Sequence, residues 1–213
     1  MNVRPPLGVR GNMDTSLRDG RKRTWSFVIA AMAMSLASVA AAAELPADLS
    51  SGAIVATTRA HEGTNVRWGR STGVVDASID DVMKVVSNYG AYHEFMPHFE
   101  ASKVLSQRGE RALVYMEALI AKNTLKVWAQ LKITPEHHDN IRVVSARMTK
   151  GNLSHMEARW EVSPLPDGRT LVTFDLLVDP KLPLPSSLVS SENEKASKRT
   201  IRALRDRLAA RGR

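Results

Sequence analysis

The chain has 213 residues, no cysteine and a formal net charge of +8, from 30 basic against 22 acidic residues. Without cysteine, disulfides and thiolate zinc sites are excluded, so an apolar core has to hold the fold together unaided. The charge is also not a basic surface: residues 1–43 hold six basic and two acidic residues, Lys181–Arg213 hold nine and three, and residues 44–180 are near neutral at 15 against 17. That distribution argues against a nucleic-acid partner, which calls for a basic face interleaved with aromatics.

Residues 1–43 have the composition of an export signal. Arg18, Arg21, Lys22 and Arg23 precede an uncharged apolar run, Trp25–Ala40, and Ala41-Ala42-Ala43 supplies the small residues that a signal peptidase accepts. The run is 16 residues long and rich in Ala and Ser, whereas a bilayer-spanning helix needs roughly 20 apolar residues; cleavage near Ala43 is therefore expected over a retained anchor. Arg21-Lys22-Arg23 lacks two adjacent arginines, which favours general secretion over the twin-arginine route, and Met13 is an alternative start. The expected location is the periplasm.

Residues 44–52 read as a polar link, and residues 53–213 as one domain. AIVATTRA and NVRWGRSTGVV form two expected strands around His61-Glu62-Gly63-Thr64, with Gly63 in the turn. The period then changes. Ser78, with Asp81 three residues on, is an expected helix start, and Ile79, Val82, Val85 and Val86 make one buried stripe. Gly90 is expected to stop that helix, and Pro97 to end a short following turn that is rich in aromatic residues.

From His98 the pattern alternates with period two for about eighty residues. In TLKVWAQLKI the residues Leu125, Val127, Ala129, Leu131 and Ile133 share a face. In SHMEARWEV they are Met156, Ala158, Trp160 and Val162, and in TLVTFDLLV they are Val172, Phe174, Leu176 and Val178. Short polar breaks, Lys122-Asn123 among them, imply hairpins and hence an antiparallel meander of about six strands with one wet face. Pro180, Pro183 and Pro185 stiffen the connection to a basic terminal helix, Ser187–Ala210. The stripe of that helix is polar at Ser190, Asn193, Glu194 and Ser197 and becomes apolar at Ile201, Leu204 and Leu208. It is the element long enough to cover the sheet.

This order resembles the START-like (SRPBCC) superfamily, which includes polyketide cyclases and coenzyme Q-binding proteins. VMKVVSNYGAYHEFMP resembles that family's first helix and turn, with Asn88 where aspartate is common. ARWEVSPLPDGRTLVTFDLLVDPKLPLP resembles its last hairpin, and SLVSSENEKASKRTIRALRDRL its closing helix. The likeness spans about Val74 to Leu208. It implies an α+β helix-grip fold, a curved antiparallel sheet wrapped around a long C-terminal helix, with two short helices after the first strands. It also implies a cavity between sheet and helix that takes a hydrophobic small molecule such as a lipid or a quinone.

On that reading the cavity walls would come from Tyr115, Val127, Ala129, Leu131, Met156, Ala158, Trp160, Phe174 and Leu176, with Tyr92 and Phe95 at the lip. The small Ala129 and Ala158 favour a void. Asn193 and Ser197 are candidates for contacting a ligand's polar end. Arg142 and Arg147 alternate along a mixed strand, so Arg147 is a candidate wall residue, and whichever of the two faces inward is expected to pair with Glu117 or a ligand acid. The same residues also fit plain core packing or a solvated helix start. There is no phosphate loop, nucleophile elbow or HExxH motif, so neither a catalytic set, a cofactor nor a metal site is expected. Two alternatives to a carrier stay open. One is a cyclase or dehydratase working in the same cavity. The other is an interaction module whose basic helix meets an acidic partner or, transiently, an anionic membrane surface.

Overall fold

The computed structural model describes residues 46–120 and 124–211; the leader and the Lys122-Asn123 break lie outside the described residues. Within the segment read as a polar link, Ala47–Ser50 form a single helical turn, α1, with Leu49 buried. The Ser51 and Ala53 N–H groups close it by donating to the carbonyls of Ala47 and Asp48, each at 3.0 Å. Four residues are too few to show a helical period, so this turn leaves no pattern to read.

β1 (Val55–Arg59) and β2 (Trp68–Val75) form an antiparallel hairpin. Gly63 in its loop has φ +85°, a conformation that favours glycine. α2 (Ile79–Val86) starts at Ser78, whose Oγ accepts the Asp81 N–H (3.2 Å) and donates to the Asp81 carboxylate (2.8 Å), satisfying a first-turn donor. Val82, Val85 and Val86 are almost wholly buried. The helix ends at Ser87 rather than at Gly90. The Ser87 and Asn88 N–H groups bond back to the carbonyls of Met83 and Val85, and the chain then runs on as a 3₁₀ helix, Tyr89–Glu94, with Gly90 inside it. Three residues per turn place Tyr89 and Tyr92 on the same inward face, and both are buried.

β3 (Phe99–Arg108), β4 (Arg111–Ile120), β5 (Leu125–His138), β6 (Ile141–Gly151), β7 (Leu153–Pro164) and β8 (Thr170–Pro180) follow as a meander, each strand antiparallel to the next. β2 pairs with the free edge of β8, which gives one eight-stranded sheet in the order β1-β2-β8-β7-β6-β5-β4-β3. Register breaks at Phe99/Ala101, Val104/Ser106, Gln130/Leu131 and Leu153/His155 add local bend and twist.

α3 (Ser186–Arg211) lies on the concave face along β2. Three contacts step in phase. The α3 backbone at Asn193–Glu194 sits over Gly69, Ser197 Oγ meets Ser71 Oγ at 2.7 Å, and Ile201 packs at Gly73. Two strand residues advance about 6.6 Å and four helix residues about 6 Å, so the repeats match and the helix runs parallel to β2. Arg205 extends the contact, donating to the carbonyls of Val74 (2.8 Å) and Gly52 (2.9 Å).

A Cβ at Gly69 would lie 2.2 Å from the Asn193 carbonyl atoms and 2.3 Å from the Glu194 amide nitrogen, whereas one at Gly73 would meet mainly the Arg205 side-chain end, at 2.9 Å. Backbone cannot step aside as a flexible side chain can. Gly69→Ala is therefore expected to destabilise by about 3 kcal/mol or more and Gly73→Ala by about 1 kcal/mol. Urea unfolding of the two variants side by side measures the difference.

Candidate functional site

A cavity of about 70 Å³ lies between the concave face of the sheet and the segment Tyr89–Phe99. Its floor is the alternate-residue stripe of β4 to β8. Met116, Leu131, Ile133, Val144 and Trp160 come from adjoining strands, and Phe174 lies against Trp160 with ring centroids 4.3 Å apart. Ala146 and Ala158 face each other across the β6–β7 register. Both line the cavity, and their missing side-chain volume is what leaves the space open. The roof is Tyr89, Tyr92, Met96 and Phe99, and Thr200 supplies the contribution of α3.

The polar groups reaching the cavity are few. Tyr92 OH donates to the Val86 carbonyl at 2.6 Å, and burial pushes this phenol well above the ordinary tyrosine range. Burial likewise raises Tyr89, whose carbonyl accepts a bond from Ser102 Oγ. Both phenols therefore stay protonated at neutral pH and serve only as hydroxyl groups. Tyr92 is the hub of the roof, with Tyr89 at 6.3 Å, Phe95 at 5.6 Å and Phe99 at 6.4 Å, all in edge-on geometry.

Of the residues that the sequence nominated, Tyr92, Leu131, Met156, Ala158, Trp160, Phe174 and Leu176 line this space. Phe95 stands outside it, half-buried behind Tyr92 with the Arg207 guanidinium 5.6 Å from its ring centre. Val127 and Ala129 are buried on the same stripe but away from the cavity; Ala129 lies opposite Gly151, where β6 carries an extra residue.

Tyr115 and Glu117 stand on the opposite face, because β4 turns Ala112, Val114 and Met116 inward. There Tyr115 stacks on Trp128 at 6.1 Å and donates to Glu117 at 2.7 Å. Lys126 binds the other Glu117 oxygen and holds that carboxyl below its ordinary range. Arg147 also faces outward, three-quarters exposed, and pairs with Glu157 at 3.1 Å rather than with Glu117.

Asn193 and Ser197 are buried, but their polar groups are committed to the sheet. Asn193 Oδ1 accepts the Val178 N–H, and Nδ2 donates to the carbonyls of Val178 and Arg67, all at 3.2 Å. Ser197 is engaged with Ser71 and the Glu194 carbonyl. Asn193 clamps the helix where β2 and β8 separate, just past Gly69↔Leu176, and Ser197 clamps it over the paired ladder at Ser71. Lining residues that the sequence did not single out include Phe99, Met116, Val144, Ala146 and Thr200. A two-residue alternation carried through β6, where Ser145 and Arg147 hold the other phase, would have found Val144 and Ala146.

Comparison with known proteins agrees with this geometry. A family model described as polyketide cyclase / dehydrase and lipid transport matches residues 75–205. Among solved structures, a STAR-related lipid transfer protein from Xanthomonas axonopodis is 22% identical, covering 73% of this chain and 93% of that one at a TM-score of 0.66. Human StAR-related lipid transfer protein 5 is 12% identical, with 76% and 84% covered and a TM-score of 0.67. The Zhui aromatase/cyclase from Streptomyces sp. R1128 is 19% identical, with 69% and 96% covered and a TM-score of 0.53. A search of curated proteins matches none.

The raised phenols give a pH dependence. A tyrosine whose folded pKa exceeds its unfolded value of about 10 contributes stability that is present below pH 10 and lost as the pH rises above it. Tyr92→Phe is expected to cost about 1–2 kcal/mol at pH 7, through the bond to Val86, and to flatten the loss of stability above about pH 10. Urea unfolding at a series of pH values reads both effects.

Proposed function

The chain belongs to the polyketide cyclase / dehydrase and lipid transport family, and on that footing we propose that it binds a hydrophobic small molecule, a lipid or a quinone-like compound, between the sheet and the Tyr89–Phe99 roof, where α3 contributes Thr200 and not the wall that the sequence led one to expect. The observation that carries this is the facing pair Ala146 and Ala158, which keeps an apolar space open in the middle of an otherwise close-packed sheet face. The space of about 70 Å³ is well below the roughly 300–1,000 Å³ of a drug-sized ligand site. Uptake therefore requires the roof to move. The roof is a short 3₁₀ helix and a turn ending in Pro97 and His98, where φ is +68°, and it has neither the strand ladder of the floor nor the backbone-to-backbone seat that α3 has on Gly69.

The walls favour a carrier over a cyclase. Acid–base catalysis needs a group that exchanges a proton near neutral pH, and the cavity presents two phenols held protonated by burial together with the Thr200 hydroxyl. The setting that fits is outside the cytoplasm, after removal of the leader near Ala43. The support for this is the basic and apolar composition of residues 1–43.

Filling the space from within tests the reading. Ala158→Leu puts three carbons into the cavity without adding a polar group. It is expected to preserve the melting temperature or raise it by a few degrees, while weakening uptake of the apolar fluorophore diphenylhexatriene at least tenfold. Undiminished uptake by a folded Ala158→Leu protein would place the ligand elsewhere.

A further inference from the structure

On the far side of Phe95 from the cavity lies an open groove of about 460 Å³ between the turn and the second half of α3. Its apolar lining is Phe95, Pro97, Ala203 and Ala210, and its charged lining is Arg199, Arg202 and Arg207 against one acid, Asp206. Arg207 is fixed: it binds Glu94, lies over the Phe95 ring, and keeps a buried Nε without a hydrogen-bond partner among the described residues. The other two are not held in this way. The nearest carboxylate to Arg199 is Glu192 at 3.9 Å, and Arg202 forms no ion pair among the described residues. Residues three apart on a helix are neighbours on its surface, so two guanidinium forks stand side by side over an apolar floor. That is the arrangement that grips a carboxylate or phosphate in two-pronged fashion.

The groove and the cavity share their walls. Thr200 lines the cavity while Arg199 and Ala203 line the groove, and Phe95 in the groove meets Tyr92 of the cavity roof at 5.6 Å between ring centres. We propose that the ligand is an anionic amphiphile whose chain occupies the cavity and whose carboxylate or phosphate head passes Phe95 to rest on Arg199 and Arg202. This rests on the hydrophobic-ligand reading above and narrows it to a charge class.

The test compares oleate with oleyl alcohol, which has the same chain and no charge, both below the concentrations at which they aggregate and at low salt. Wild type and the double variant Arg199→Gln/Arg202→Gln are titrated against bound diphenylhexatriene. Wild type is expected to take oleate about tenfold more tightly than the alcohol, with the preference shrinking as salt is added. The double variant should bind the alcohol as wild type does and lose most of the preference for oleate.

Equal affinity of wild type for both ligands overturns the head-group inference and leaves the cavity reading standing. Binding of neither ligand overturns both. Two controls identify other anion sources. Inorganic phosphate bound at the arginine pair, without any oleate preference, would mark a site for free anions. Phosphatidylglycerol vesicles bound through the pair, again without that preference, would mark a membrane contact. Either result overturns a single-molecule head-group site.

Discussion

The architecture depends on how closely α3 approaches β2. Gly69, Ser71 and Gly73 form a stripe almost without side chains, and Asn193, Ser197 and Ile201 rest on it with the four-residue step of the helix matched to the two-residue step of the strand. Helix backbone touches strand backbone at Gly69, so neither the height nor the direction of α3 is free to vary. This docking also explains the unusual composition of the helix. Near the strand ends, where β2 and β8 part and leave main-chain groups exposed to the interior, the stripe is polar and Asn193 satisfies three of those groups. Further along, over the continuous ladder, it becomes Ile201 and Leu204, both fully buried. A buried polar group left unpaired would cost several kcal/mol; here Ser190 and Asn193 bond main-chain groups of Arg67 and Val178 beyond the ladder, and Ser197 pairs with the Ser71 hydroxyl.

Because α3 is pinned over the β2 side of the sheet, the concave face of β4 to β7 is left for a second cover. That cover is the aromatic 3₁₀ segment, held by the Tyr92–Val86 bond and by ring contacts. The two covers differ in kind. One is clamped by backbone contact and paired polar groups, the other by side-chain packing on a short irregular turn. Regions with few main-chain bonds open at lower cost than those within ladders, so the asymmetry in fastening makes the aromatic roof, and not the helix, the cover that costs less to displace. Tyr89, Tyr92, Met96 and Phe99 are thus at once core residues and ceiling, which accounts for so many aromatics in so short a stretch.

Much of this was legible in the sequence, for identifiable reasons. Strands with one wet face alternate, and β5, β7 and β8 do so cleanly enough to give their inward residues one by one. The start of α2 is written in Ser78 and Asp81. Where both faces of a strand are partly apolar, the alternation carries no sign. In β4 both phases carry large apolar side chains, Val114 and Met116 in one and Leu113, Tyr115 and Leu119 in the other, so Tyr115 reads as a wall residue as readily as Met116 does. Arg147 could be placed neither inward nor outward from its own strand; the β6–β7 register sets it beside Glu157. Asn193 and Ser197 share a stripe with Ile201, so periodicity shows that they turn inward. What they meet there depends on contacts with residues more than a hundred positions away at Arg67 and Ser71, and local pattern carries no such information.

A cavity bounded by one fixed and one yielding cover should hold its ligand through purification. The most direct measurement is native mass spectrometry of the protein exported from a bacterial host, followed by organic extraction of whatever is released. A discrete adduct of lipid or isoprenoid mass is the expected result. A chain at its bare mass that also takes up nothing from a total lipid extract would contradict a ligand-binding cavity.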